Sequence, residues 1–276
     1  MQGVFGAGVL SYLSKIDFYT RLEAVYGGSA GALNGAYFLV NQAELGSTIY
    51  WENLTKNFIS VKNFYRGVWE RIVRVPKEKL HDAVDLNYLF EVIQKIKPLN
   101  IEKIINSQIP FFVKLFNLNL KQIEYKDARR KNIFEILRAS TANVPYVHET
   151  HEIDGHEYID GTIPEAIGYD FLRKKHPQSK IIFVYCGFTQ RKFRYKIKNY
   201  IEGKIMTYMY DDSELLRIYL DAEQNLRDDL IKINQDPMAI LVSPTLKSQT
   251  LTRTVKEQKL MATYKIGYEQ ASRLIN

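Results

Sequence analysis

The chain holds one cysteine, Cys186, in 276 residues. That scarcity excludes an intramolecular disulfide and fits a reducing compartment, so a cytoplasmic location is expected. Cys186 follows the apolar run Ile181-Ile182-Phe183-Val184-Tyr185 and reads as a buried thiol at a strand end. Apolar residues make up 46% of the chain, enough for a sizeable core. No uninterrupted apolar run reaches about eighteen residues, which excludes a membrane-spanning helix. The first residues lack the basic start and cleavage site of a signal peptide. Histidine is scarce, with five residues and none beyond His176. His151 and His156 flank a turn, and no His, Cys or Asp cluster has metal-ligand spacing. A P-loop and a dinucleotide fingerprint are missing too, and Gly3-x-x-Gly6-x-Gly8 is not one. Neither a metal nor an organic cofactor is expected.

What the chain does have is Gly27-Gly28-Ser29-Ala30-Gly31, a G-x-S-x-G pattern. Leu22 to Tyr26 before it has strand length, and Ala32 to Val40 after it is apolar and helix-forming. Strand, glycine turn with a serine at its tip, then helix is the context of a nucleophile elbow. The glycines suit strained angles and close strand–helix approach. The helix N-terminus beyond them favours developing negative charge. Read more plainly, the serine would only cap the helix.

A serine nucleophile needs a base. His176 sits in the charged stretch Arg173-Lys174-Lys175-His176-Pro177, which reads as a solvated helix end. Only one strand and one helix fit before Ser29. Both facts argue against an α/β-hydrolase, which places its histidine late and several strands before its serine. The other choice is an aspartate. Asp154-Gly155 lies between two short extended runs and signals a hairpin turn. Asp160-Gly161 ends the return strand, where an Asp160 carboxylate could take the Ser29 proton directly. On its residues alone, Asp160-Gly161 reads more simply as a second turn.

Taken together, Gly27 to Asn34, Asp160-Gly161-Thr162, Met1 to Leu10, Leu137 to Ala142 and Tyr264 to Tyr268 resemble the patatin-like phospholipase family. The resemblance covers nearly the whole chain. It implies an α/β fold of three α/β/α layers around a mostly parallel central sheet. It also implies a phospholipase or esterase with a Ser-Asp catalytic dyad, Ser29 as nucleophile and Asp160 as base. Gly161 then belongs to the DG motif, with Gly3, Gly27, Gly28, Ala30 and Gly31 around the elbow and oxyanion site. The implied partner is a lipid or phospholipid, and the implied role is lipid degradation.

One departure stands out. Family members carry a hydrophobic strand and a G-G-G-x-R/K-G motif whose backbone N–H groups form the oxyanion hole. Here Gly3 matches the last glycine, and Gln2 stands at the basic position. Losing one oxyanion donor costs about 2.7–4 kcal/mol of transition-state stabilisation. Two explanations stand open: an internal methionine at position 1 of a longer chain, or a weak member of the family. The alternative to an active hydrolase is an inactive relative serving as a basic membrane- or nucleic-acid-binding module.

The rest alternates strands and helices as an α/β sheet requires. Ile109 to Asn117 reads as an apolar strand that turns and returns through Gln122 to Tyr125. Ile181 to Tyr185 and Ala239 to Val242 read as strands buried on both faces. A helix runs from Asp212-Ser213 to about Asn234, with Leu215, Tyr219, Ala222, Leu226, Leu230 and Ile233 on one face. The last helix presents Tyr264, Tyr268, Ala271 and Ile275. One domain spanning 1–276 is expected, with residues 46–100 as a helical cap or insertion. The net charge is +7. Two basic-aromatic segments, 64–74 and 191–200, stand out. Either alone reads more simply as a solvated cationic face with its aromatics turned inward. A lipid substrate favours membrane contact through Arg191, Lys192, Arg194, Lys196 and Lys198. No nucleic-acid motif is present, and no nucleic-acid partner is expected.

Overall fold

The computed structural model describes residues 1–56, 58–73, 75, 79–144, 146–189, 194–245 and 254–274. The sheet is built around β2 (Phe111–Asn117), the apolar run that the sequence marks as a strand. Its partners are β1 (Val25–Gly27), β3 (Gln122–Asp127) and β5 (His156–Asp160). The short β4 (His151–Ile153) extends the sheet beyond β5. Asp154 and Gly155 turn the β4–β5 hairpin with φ of 52° and 78°. Two successive positive φ values are what this tight turn requires, and Asp and Gly tolerate them.

The sheet is not wholly parallel. β1 runs parallel to β2, whereas β2/β3, β2/β5 and β4/β5 are antiparallel. The antiparallel pairs come from the tight turns after Asn117 and at Asp154, which return the chain without a crossover helix. β6 (Ile181–Val184) and β7 (Ala239–Val242) pair in parallel as a separate two-stranded sheet. Their alternate residues enter two different apolar clusters, so both faces are covered. Most of those side chains are only partly buried, because a two-stranded sheet leaves its margins open.

Helices cover both sides. On one face of β2, Phe111, Val113 and Leu115 are fully buried. They share a cluster with α2 (Ala30–Leu39) and α7 (Ile133–Thr141). On the other, Phe116 meets Met206 of α9 (Arg194–Tyr210) and Leu215 and Tyr219 of α10 (Glu214–Gln235). α8 (Tyr169–Lys175) brings Phe171 onto Tyr26 and Tyr125 on that same side. This is a three-layer α/β/α architecture.

α1 (Val4–Lys15) and α11 (Glu257–Leu274) cross beside β6 and β7. A Cβ on Gly8 would come 2.0 Å from the Tyr264 carbonyl oxygen, and one on Gly267 would come 2.2 Å from that of Phe5. The two backbones therefore touch, and a side chain at either glycine would separate them. Between α3 (Ala43–Thr48) and α6 (Ile101–Ile105) lie α4 (Val61–Ile72) and α5 (Leu86–Glu91). The described residues of that stretch are helical or irregular, apart from the isolated bridge Ile59–Val84. The α10 stripe is as spaced, except that Leu230 is only partly buried, while Glu223 and Asp229 are buried. Of the last helix's stripe, Ile275 lies outside the described residues.

Candidate active site

Register brings Ser29 and Asp160 together. β3 occupies one edge of β2 along Phe112 to Asn117, so β1 and β5 must share the other. β1 runs up that edge and ends with Gly27 opposite Val113. β5 runs down it and ends with Asp160 opposite Leu115. The two strands meet end to end at the level of Lys114. Gly28-Ser29 and Gly161-Thr162 both leave the sheet there. A Cβ on Gly28 would come 2.4 Å from Thr162 Cγ2, and one on Gly161 would come 2.8 Å from Lys114 Cγ. Glycine at these two positions lets the turns close over the lysine stem.

The elbow itself is strained at the serine. Ser29 has φ 53° and ψ −131°, a region that costs a non-glycine residue about 1–3 kcal/mol. Its amide donates to Ser140 Oγ at 2.9 Å, and Ser140 Oγ donates to the Lys114 carbonyl at 3.0 Å. Ser140 is fully buried in α7 and ties the elbow to β2. The Ser29 side chain makes no cap hydrogen bond to α2, so the capping role leaves its hydroxyl unexplained. Of the other glycines, Gly27 is required by contact with Ala32, whereas a Cβ on Gly31 would meet open space. A glycine-rich elbow suggests that glycine carries the strained angle; it falls on Ser29 instead, because α2 begins at the next residue.

Two helix N-termini converge beside the serine. A Cβ on Gly3, which precedes α1, would lie 2.5 Å from Ala30 Cβ, at the start of α2. Asn34 Nδ2 donates to the Gly3 carbonyl at 2.9 Å, and the Tyr50 hydroxyl donates to Asn34 Oδ1 at 3.2 Å. The Gly31 and Ala32 amides turn back to Gly28 and Ser29. Among the described residues, nothing accepts from the Ala30 N–H. Backbone N–H groups at helix starts attract negative charge that lies on the helix axis beyond them.

Asp160 is fully buried. Its Oδ1 accepts from the Thr162 amide at 2.8 Å and the Thr162 hydroxyl at 2.7 Å. Desolvation raises its pKa, opposed by Thr162, by the Ser29 side chain and by the Lys114 charge. The Ser29 hydroxyl is near enough to favour the ionised carboxylate. Yet Oδ2 has no partner in hydrogen-bond geometry. The two groups are thus adjacent without being aligned, as is common before substrate binds.

Lys114 escapes motif reading. It lies in the apolar run Phe111-Phe112-Val113-Lys114-Leu115-Phe116, and a lysine there is the one visible signal. Its ammonium reaches Glu165 Oε1 at 3.0 Å and the carbonyls of Glu165 and Ile167 at 2.9 and 2.8 Å. Tyr125 donates to the same Glu165 oxygen at 2.8 Å. Desolvation lowers the lysine's pKa, opposed by Glu165, Asp229 and Asp160. A buried cation thus stands under both turns and holds the segment after Asp160 in place.

Other candidates lie elsewhere. His176 is not solvated: its Nε2 is 2.9 Å from the Tyr26 hydroxyl, in an aromatic cluster on the α8 side of the sheet. His151 and His156 sit on the β4–β5 hairpin, and the described residues contain no group that would hold a metal. Burial pushes the Cys186 thiol up to about 11, so it stays protonated, beside Gly6. A cavity of about 250 Å³ lies among Phe58, Asn63, Asp85 and Glu149, and neither Ser29 nor Asp160 lines it. Arg191 and Lys192 lie outside the described residues, and Arg194 is the first residue of α9. Lys196 and Lys198 are exposed on α9.

The site is thus a strand–elbow–helix of an α/β protein with a buried aspartate beside its serine. A profile of the patatin-like phospholipases matches residues 1–170, and the chain belongs to that family. An uncharacterized protein of Escherichia coli (strain K12), YjjU, is similar, at 25% identity over 170 residues. That match covers 60% of this chain and 44% of YjjU, so the chain spans less than half of that relative. The family's description names phospholipases. No described helix is long and apolar enough to cross a membrane.

Proposed function

We propose that this chain hydrolyses acyl esters of lipids with Ser29 as nucleophile and Asp160 as general base. The observation that carries this reading is the meeting of β1 and β5 at Lys114, which sets the serine beside a buried carboxylate. Burial raises the basicity of Asp160 and so suits it to accept a proton. The Ser29 proton passes to Asp160 as Oγ attacks the ester carbonyl. The oxyanion faces the Ala30 N–H and the converging starts of α1 and α2 near Gly3. The C–O bond then breaks, and the leaving alcohol takes the proton from Asp160. Water, deprotonated by Asp160, attacks the acyl-enzyme and releases the fatty acid and Ser29. No step calls for a cofactor. In this reading residues 1–276 form one domain with 46–100 as a helical cap, and the protein works in the cytoplasm.

The test is Ser29→Ala. Hydrolysis of a short p-nitrophenyl ester should fall to background, and a fluorophosphonate should label Ser29 alone in the parent chain. Label on another serine, or full activity in the alanine variant, would reject the nucleophile. A parent chain that is folded, unlabelled and inactive would favour the binding-module alternative.

A further inference from the structure

The helices that carry most of the two basic-aromatic segments, distant in sequence, pack together: α4 lies against α9. Among its described side chains α4 is amphipathic in an inverted sense. Tyr65 and Trp69 are 64% and 63% exposed, and Ile72 and Val73 are about half exposed. Spacings of three, four and seven put them on one helical face with Lys62 and Arg66. What α4 buries instead includes Glu70, bonded to Arg66 and to the backbone and ring of His81. α9 repeats the arrangement, with Ile197, Tyr200 and Ile201 about half exposed beside Lys196, Lys198 and Lys204. Its one carboxylate, Glu202, is buried against Lys198 and the Tyr146 hydroxyl. So neither helix exposes an acidic side chain, while both expose cations, aromatics and aliphatics.

We propose that the joined faces of α4 and α9 are a docking surface for an anionic lipid bilayer. Charge complementarity selects the occupant. Lys and Arg near such a surface gain about 1 kcal/mol each, and Trp and Tyr settle at the headgroup level. The exposed Ile72, Val73, Ile197 and Ile201 gain by entering the acyl boundary, as on a helix lying in the interface plane. A nucleic acid would reward the cations and the stacking rings and leave these aliphatics wet. The inner side of α9 carries Met206, in one buried cluster with Ile159, the residue before Asp160. The thickness of α9, about 10 Å, thus separates its outer side from the sheet whose strand β5 ends in the proposed base. The proposal extends the lipid-hydrolase reading, but its test reads binding and not chemistry.

The chain has two tryptophans, Trp51 and Trp69. Trp51 packs on Tyr264, so Trp51→Phe leaves Trp69 as the sole reporter. With vesicles of 30 mol% phosphatidylglycerol in phosphatidylcholine, Trp69 emission should shift to the blue. Lipids brominated in the acyl chains should quench it. Both changes should be absent with pure phosphatidylcholine and reversed by 0.5 M salt. Lys62→Gln, Lys196→Gln and Lys204→Gln together should weaken partitioning on the order of a hundredfold. Far-UV circular dichroism and soluble-ester hydrolysis should be unchanged. Absence of vesicle binding, or binding with Trp69 emission unmoved, overturns the proposal. So does a blue shift without lipid that grows with protein concentration as the mass doubles, since a second copy would then cover the face. Tight oligonucleotide binding without vesicle binding overturns it as well. A chain that binds vesicles yet hydrolyses nothing keeps this surface and rejects the proposed catalysis.

Discussion

On one face of β2, Phe111, Val113 and Leu115 pack into the α2/α7 layer as buried apolar side chains. On the other, Phe112 and Phe116 flank Lys114, which is as deeply buried but charged, with Glu165, Tyr125 and Asp229 around it. Both faces belong to the same seven residues and support the same turns. They differ in what each side chain does besides filling space. The apolar face contributes burial, roughly 1.5–3 kcal/mol per large side chain. The charged face couples stability to the electrostatics of Asp160. A strand can thus serve as scaffold on one side and tune a site on the other.

The sharpest break in that comparison is Asp160→Asn. Loss of the proposed general base should cut kcat/KM by about 10²–10⁴, while Asn Oδ1 can still accept from Thr162. Stability should behave oppositely. The folded-state pKa of Asp160 lies above its unfolded value, so the folded chain binds more protons in that window. Parent stability therefore falls as pH rises through it. Asp160→Asn removes that loss and should equal or exceed the parent in urea at pH 7. Its advantage should vanish below the unfolded carboxylate pKa. A variant that is much less stable at pH 7 would mean Asp160 is structural.

Lys114→Met comes next, because it keeps the stem and deletes the charge. Breaking a buried pair costs about 3–5 kcal/mol; the low end is expected here, since Glu165 retains access to water. Lys114→Met with Glu165→Gln should recover part of this loss. Removing the cation also raises the Asp160 pKa further, so the acid limb of the kcat/KM profile should move to higher pH. An unmoved limb would confine Lys114 to packing. Val113→Ala probes the opposite face and should have the smallest effect. It should lose about 2 kcal/mol in urea, from about 0.8 kcal/mol per buried carbon plus a small cavity. Its pH profile should stay where it is. A shift there as large as that of Lys114→Met would erase the distinction between the faces.

Sequence made visible what is local. The elbow at Gly27 to Gly31, the Asp154-Gly155 turn, and the strands β6 and β7 follow from contiguous patterns of glycine, turn residues and apolar runs. What it hid depends on register. Nothing in Leu22 to Tyr26 tells that the strand is Val25–Gly27, or that β1 and β5 share an edge of β2. Ser140 reads as an ordinary helix serine until it is found bonded to both the Ser29 amide and the Lys114 carbonyl. His176 looks solvated among Arg173, Lys174 and Lys175, but Tyr26 reaches it from another layer. Such contacts join residues far apart in the chain, and periodicity is silent about them. The outward turn of Trp69 escapes pattern reading for the same reason. Amphipathicity ordinarily assigns the apolar stripe to the core.

The close crossing of α1 and α11 has a consequence in time. During synthesis at about 5–20 residues per second, α11, the helix that seals α1, follows it by roughly 10–50 s. Until then the groove at Gly8 has no backbone against it, and Phe5 and Val9 lack the neighbours that bury them completely in the finished fold. The start of α1 also supports the oxyanion side of the proposed site through Gly3 and Asn34. A ribosome-bound chain thus carries the serine elbow long before the clasp that steadies it, and the proposed esterase activity should appear only when α11 has docked.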